Sequence, residues 1–291
     1  MGEWRLFDRQ FEILEKSMKT KGNTMRFSGR VALVTGAARG QGASHCKHLA
    51  SEGAQIIAVD ICENIPPFYA LGTELQLKET VEECRKFGVG ALGLVADVRR
   101  PEQVKDAVDL AMREFGQIDI LCNNSGVARI DAIDEMTSDV LDGIIDVNVK
   151  GTFYSTQYVI PGMKERSYGK IINIASAAAV QPLPYLSHYS ASKGAIVAAT
   201  KSWAKELGPW GINVNCIAPG TILTEMIVGL ALQLEKDPQT AFDEFNAASA
   251  FVGERSHITV DDISRTVAFL ASDDSRMITG QVITIDGGKT S

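Results

Sequence analysis

The sequence predicts a single doubly wound α/β domain with a mostly parallel sheet of about seven strands. Three observations carry that expectation. Short, nearly continuous apolar runs recur with helical stretches between them, the pattern of strands covered on both faces of a parallel sheet. A glycine-rich turn follows the first run and opens into a helix, which is where doubly wound folds receive a phosphate group. No linker, repeat or low-complexity stretch divides residues 25–291.

The elements follow in order. Residues 1–24 read as an appendage: Trp4, Phe7, Phe11, Leu14 and Met18 step by threes and fours, which predicts a short amphipathic helix, and Lys19 to Thr24 reads as a linker. This stretch has no apolar core of the kind a secretory leader needs. Strands are expected at 31–34, 55–59, 92–95, 118–122, 170–174, 213–217 and 281–285. Helices are expected over 43–51, over 104–115 behind Pro101, and over 262–270 with Asp261 as the cap.

Composition narrows the function. Hydrophobic residues make up 45% of the chain, enough for a sizeable core, and the formal net charge is −7 with no basic cluster. That argues against nucleic acid and against an anionic membrane surface as partners. No apolar run approaches the roughly 20 residues of a membrane span. Cys46, Cys62, Cys84, Cys122 and Cys216 are dispersed and odd in number, as expected of reduced thiols in a cytoplasmic protein. The four histidines lack metal-ligand spacing, so no metal is expected.

Two stretches carry chemistry. The first is Thr35-Gly36-Ala37-Ala38-Arg39-Gly40-Gln41-Gly42, between the first strand and its helix. Glycines there permit a tight turn and close approach of the backbone, and the helix start offers free N–H groups to a pyrophosphate. The spacing is G-x-x-x-G-x-G. Asp60 ends the second strand, 18 residues beyond Gly42. A carboxylate there accepts from ribose hydroxyls and repels a 2′-phosphate, which favours NAD over NADP. Arg39 is the counter-signal, since a guanidinium in the loop can meet a phosphate.

The second stretch is His188-Tyr189-Ser190-Ala191-Ser192-Lys193. Tyr189 and Lys193 are four apart, which puts both on one helix face. A free phenol has a pKa near 10 and is a poor acid-base group at neutral pH. A fixed ammonium nearby favours the phenolate, so the pair reads as a proton-transfer device for a hydroxyl or carbonyl.

With these motifs the chain resembles the short-chain dehydrogenase/reductase superfamily. The resemblance spans residues 25–291 and rests on Thr35-Gly36-x3-Gly40-x-Gly42, Asp97-Val98, Asn123-Asn124-Ser125-Gly126, Asn148, Ser176, Tyr189-x3-Lys193 and Pro219-Gly220, in family order. Ser125 departs from the alanine usual in the family. The resemblance implies Tyr189 as acid/base, Lys193 as the group that lowers the Tyr189 pKa and holds the nicotinamide ribose, and Ser176 on the substrate oxygen. Asn148 would anchor a water of the proton path. Asp97 and Val98 would contact adenine, and Asn124, Ser125 and Gly126 the cofactor near its ribose. Gln41 and Ile61 flank the glycine loop and Asp60, while Ile222 and Thr224, after Pro219-Gly220, would approach the carboxamide. It also implies a homotetramer or dimer.

Substrate determinants are expected in 177–186 and in Met226, Ile227, Val228, Leu230, Leu232, Leu234, Phe242, Phe245 and Phe251, which favour a small hydrophobic alcohol or ketone. Residues 61–73 form an insertion with two prolines and two aromatics. It resembles the carveol-dehydrogenase-like branch described as mycofactocin-coupled, which implies retained NAD and an external redox partner. The loop is expected to fold over the adenosine end of the cofactor. Two other readings are a biosynthetic oxoacyl or enoyl reductase and a non-catalytic NAD-binding redox sensor. Asp60 weighs against the first, and the intact Ser176, Tyr189, Lys193 and Asn148 set against the second.

Overall fold

Alternation along the strands decides the layers. In the first strand, Val31 and Leu33 face one side and Ala32 and Val34 the other, and all four are buried. The computed structural model describes residues 25–251 and 257–291; the helix and linker expected over residues 1–24 lie outside the described residues. The strands are β1 (Val31–Thr35), β2 (Gln55–Asp60), β3 (Ala91–Val95), β4 (Ile120–Asn123), β5 (Gly169–Ile174), β6 (Ile212–Pro219) and β7 (Val282–Ile285). They form one seven-stranded sheet in the order β3-β2-β1-β4-β5-β6-β7. Every pairing is parallel. The expected fold class is present, with a sheet parallel throughout.

Between them run α1 (Gly40–Ser51), α2 (Glu74–Arg85), α3 (Pro101–Phe115), α4 (Ser138–Ile145), α5 (Gly151–Glu165), α6 (Ser187–Leu207), α7 (Glu225–Gln233), α8 (Pro238–Asn246) and α9 (Val260–Ala271). One core layer joins Ala32, Val34, Ile56 and Ile172 to Leu49, Ile263 and Val267 of α1 and α9. The other joins Val31, Leu33, Ile57 and Ile171 to Val108, Met163 and Leu207 of α3, α5 and α6. Between β1 and β4 the strand order reverses, and the C-terminal strand ends open a crevice there, the usual ligand position of such sheets.

Three local features differ from expectation. β4 begins at Ile120 rather than Ile118, after Asp119 has accepted the Val31 amide at 2.9 Å. The cap of α9 is Thr259, not Asp261: Thr259 and Asp262 form a reciprocal capping box. A hydroxyl two residues before Asp261 reaches the orphan amides of the first turn, so Asp261 sits inside the helix and meets His48 at 3.2 Å. Finally, α4 and α5 are joined by a π-helical turn, Asp146–Lys150, which the sequence pattern did not reveal.

The α1–α9 packing also buries an ionisable group. His45 is wholly buried, with Nδ1 2.7 Å from Ser264 Oγ, and burial lowers its pKa from 6.5 to about 3. Above pH 6.5 the ring is neutral in both folded and unfolded chains. Between 6.5 and 3 only the unfolded chain takes up the proton, so stability falls as pH falls. His45→Gln is expected to flatten that loss by one proton's worth. Urea midpoints between pH 7 and 4 check this, and an unchanged slope would place the acid sensitivity elsewhere.

Candidate active site

The glycine turn leaves β1 with Gly36 at φ +66° and Gly40 at φ +54°, where side chains are strained. A Cβ on Gly42 would lie 2.0 Å from the Gly36 carbonyl, so the turn closes only on glycine. Asn124 holds it from beneath: its Nδ2 donates to the carbonyls of Thr35 (2.9 Å) and Gly36 (3.1 Å). Asn124 therefore has a structural task that the sequence reading did not foresee.

A cleft of about 830 Å³ opens above this turn. Gly36, Arg39, Gly40, Gln41, Gly42, Asp60, Ile61, Asp97, Val98, Asn124, Ser125, Gly126 and Thr224 all line it, as expected. Asp60 is buried at its wall, Oδ2 accepting from the Ala38 amide (2.9 Å) and Oδ1 from the Cys62 amide (3.1 Å). Each oxygen keeps a lone pair for a ribose hydroxyl. The Asp97 carboxylate is gripped by the backbone N–H of Arg99 and by its guanidinium. Residues that line a cleft at a helix start, with a buried carboxylate at the second strand, fit a dinucleotide. Glu225, which the sequence reading passed over, also overhangs this cleft from α7.

A second cleft of about 1010 Å³ adjoins the first and shares Gln41, Asn124, Gly126, Thr224 and Met226 with it. Ser176, Tyr189, Lys193, Pro219, Gly220 and Ile222 line it. Of the expected apolar determinants, Met226, Ile227, Leu230 and Phe245 reach it, as do Ala177, Ala178, Gln181, Leu183 and Leu186. Val228, Leu232, Leu234, Phe242 and Phe251 do not; Leu232 and Phe251 are 67% and 56% exposed, while Phe242 is buried behind Ile227 and Leu230.

Tyr189 and Lys193 stand one turn apart on α6. Burial pushes the Tyr189 phenol above its ordinary value, and a hydrogen bond with Ser176 opposes this. Burial lowers the Lys193 ammonium to about 8. Lys193 Nζ donates to the Ile174 carbonyl at 2.9 Å and lies 5.8 Å from the Tyr189 ring centre. Lys193 is thus held on a backbone carbonyl beside the phenol, and burial is the largest influence on Tyr189. Gly126 makes room for the lysine, since a Cβ there would come within 3.2 Å of Nζ.

Asn148 sits in the π-helical turn, a distortion common at functional sites. Its Oδ1 accepts from the Val127 amide (2.8 Å), and its Nδ2 donates to the Val127 carbonyl (3.0 Å) and to Ser192 Oγ (3.0 Å). Its side chain thereby positions the loop after β4 against α6.

The 61–73 insertion is a strap rather than a flap. Phe68 lies against Gly143 of α4, where a Cβ would clash at 2.6 Å, and Tyr69 against Gly229 of α7, where it would clash at 2.3 Å. Two arginines hold its backbone: Arg39 donates to the Ala70 carbonyl, and Arg129 to that of Pro67 (2.8 Å). Arg129 also pairs with Asp131 (3.0 Å), which lies 3.4 Å from the buried His188 beside Tyr189. Tyr69 lines the first cleft, and burial raises its pKa. From Asp60 the strap thus runs along the first cleft toward Tyr189, farther than its starting point implied.

Together these features define an oxidoreductase architecture: a dinucleotide crevice beside an apolar cleft holding a proton-transfer pair. The chain belongs to the short chain dehydrogenase family, whose model matches residues 30–234. It is 34% identical to a (−)-trans-carveol dehydrogenase of Rhodococcus erythropolis, over 91% of this chain and 99% of the relative. It is 36% identical to a 3-oxoacyl-acyl-carrier-protein reductase of Thermotoga maritima, again over 91% and 99%. Among solved structures, the carveol dehydrogenase of Mycobacterium avium in complex with NAD superposes with a TM-score of 0.86 at 32% identity, covering 91% of this chain and 99% of that one. Among the described residues no helix is long and apolar enough to cross a membrane.

Removing the second anchor of the strap is expected to loosen it. Arg129→Ala takes away the donor to Pro67 and the partner of Asp131. Amide hydrogen exchange across 61–73 should quicken severalfold while that of β1 and β4 stays the same; unchanged exchange in the strap would mean that packing at Gly143 and Gly229 holds it alone.

Proposed function

We propose that the protein interconverts a hydrophobic secondary alcohol and its ketone with NAD as the redox partner. The observation that carries this is the Ser176, Tyr189 and Lys193 group inside an apolar cleft that opens into the dinucleotide crevice. NAD, when bound, supplies the hydride acceptor. The chain's own residues do the rest. Ser176 and Tyr189 meet the substrate oxygen, and Tyr189 takes its proton in oxidation or returns it in reduction. Lys193, one turn along α6, would favour the phenolate through its positive charge, so that Tyr189 can take the proton. The apolar walls exclude water.

NAD rather than NADP is supported by Asp60, whose buried carboxylate opposes a 2′-phosphate, and by Arg39, whose guanidinium is engaged on the Ala70 carbonyl. The Mycobacterium avium structure with NAD supports the same choice. A second reading, reduction of an oxoacyl thioester, is favoured by the Thermotoga maritima relative; it needs a hydride from the same crevice but a different occupant of the apolar cleft.

The proposal is tested by following NAD reduction with cyclic terpene, steroid and aliphatic alcohols, beside acetoacetyl thioester reduction, with an artificial electron acceptor in parallel. Tyr189→Phe, which removes the oxygen and keeps the ring, should lower kcat by about 100-fold or more with nucleotide affinity nearly unchanged, as positioned acid-base groups contribute 10²–10⁴-fold. Retention of more than about a tenth of kcat would remove Tyr189 from its role.

The proposal extends to cofactor retention and recycling by an external redox partner. Ile65, Phe68 and Leu71 join the apolar cluster of Val98, Val140 and Ile144 at the edge of the crevice, so the strap must lift apolar surface to let a dinucleotide leave. Protein purified without added nucleotide should release near-stoichiometric NAD on denaturation. Little released NAD would mean free exchange.

A further inference from the structure

The apolar cleft carries an ammonium that the acid-base centre does not use. Lys289 and Thr290 line it together with Ser176 and Tyr189. The chain brings them there by a turn at the end of β7. Gly287 and Gly288 adopt φ +64° and +78°, and Cβ atoms on them would strike Ser249 Oγ at 2.6 Å and Ala250 Cβ at 2.9 Å. Asp286 fastens the turn by accepting from the amides of Gly288 (3.0 Å) and Thr290 (2.9 Å) and from the Thr290 hydroxyl (2.5 Å). That leaves the Asp286 carboxylate occupied and the Thr290 hydroxyl spent. Lys289 Nζ donates to the Phe245 carbonyl of α8, its one hydrogen-bond partner among the described residues.

An ammonium has three protons to donate, and its charge is costly against apolar walls. The burial is felt: it lowers the Lys289 pKa, opposed by the nearby Asp286. Such a group is relieved by an anion, and the cleft it lines is where substrate must lie. We propose that Lys289 receives a carboxylate of the substrate, so that the protein acts on an alicyclic or similarly apolar hydroxy acid and its keto acid rather than on a neutral alcohol. This rests on the dehydrogenase reading of the same cleft and assigns the substrate class within it.

The alternative, that Lys289 merely props the Phe245 carbonyl, predicts equal effects on charged and neutral ligands. Calorimetry on the NAD-loaded protein would therefore compare cyclohexanecarboxylate with cyclohexanecarboxamide. Wild type should favour the carboxylate by about ten- to a hundredfold, the range of a hydrogen bond between charged groups. In Lys289→Met the ratio should fall close to one, and Lys289→Arg should restore most of it. No preference in the wild type, or a preference that survives in Lys289→Met, overturns the proposal. In parallel, NAD reduction is followed with 4-hydroxycyclohexanecarboxylate and 4-methylcyclohexanol, and the ratio of their kcat/KM values should fall in Lys289→Met through KM. Carboxylate discrimination that depends on Lys289, without NAD reduction by any alcohol, would uphold the anion site and overturn the dehydrogenase reading instead.

Discussion

The site depends on one side chain that lines neither cleft. Asn148 closes a two-way hydrogen-bond pair with the backbone of Val127 and a third bond to Ser192. These bonds tie the loop after β4, the π-helical turn and α6 to one another. Ser192 in turn donates to the Tyr189 carbonyl at 2.7 Å, so the acid-base helix is registered against the crevice through Asn148. Below it, Asn123, Asn173 and Thr200 form a buried ladder from β4 across β5 to α6. Buried polar groups are costly unless paired, so a paired set this dense admits few alternative registers.

Burial then works against the chemistry and for the geometry. It raises the Tyr189 phenol and lowers the Lys193 ammonium, bringing two groups of ordinarily similar acidity to opposite sides of their usual values. The strap shares in this enclosure. Its arginine anchors start from the glycine loop on one side and from the Asp131–His188 pair beside Tyr189 on the other. Cofactor cleft and acid-base helix are thus connected by the same segment.

How much of this was legible in the sequence varies with the range of the interaction. The seven strands could be read because each is a local apolar run, and the glycine loop, Asp60, Ser176 and the Tyr189–Lys193 spacing because each is a short motif. Most of the expected cofactor residues gather at one cleft, and Tyr189, Lys193, Pro219, Gly220 and Ile222 line the cleft beside it, since a parallel sheet aligns all its strand ends. Local pattern failed where two choices lay within one turn, as at the Asp261 cap, and where a π-helical turn leaves no mark on apolar periodicity.

What the sequence determined by itself was the order of elements and the candidate reacting groups, because both rest on neighbours within a few residues. Only the tertiary structure decided what those groups experience. Asn124 turned inward to hold the glycine loop, and Arg39, while lining the crevice, was also tied to the strap. Leu232 and Phe251 were left outside the cleft, while Lys289, at the far end of the chain, was brought into it. Each of these depends on burial and on contacts between residues far apart in the chain, and a side chain's charge state and direction follow from what surrounds it, which no local stretch contains.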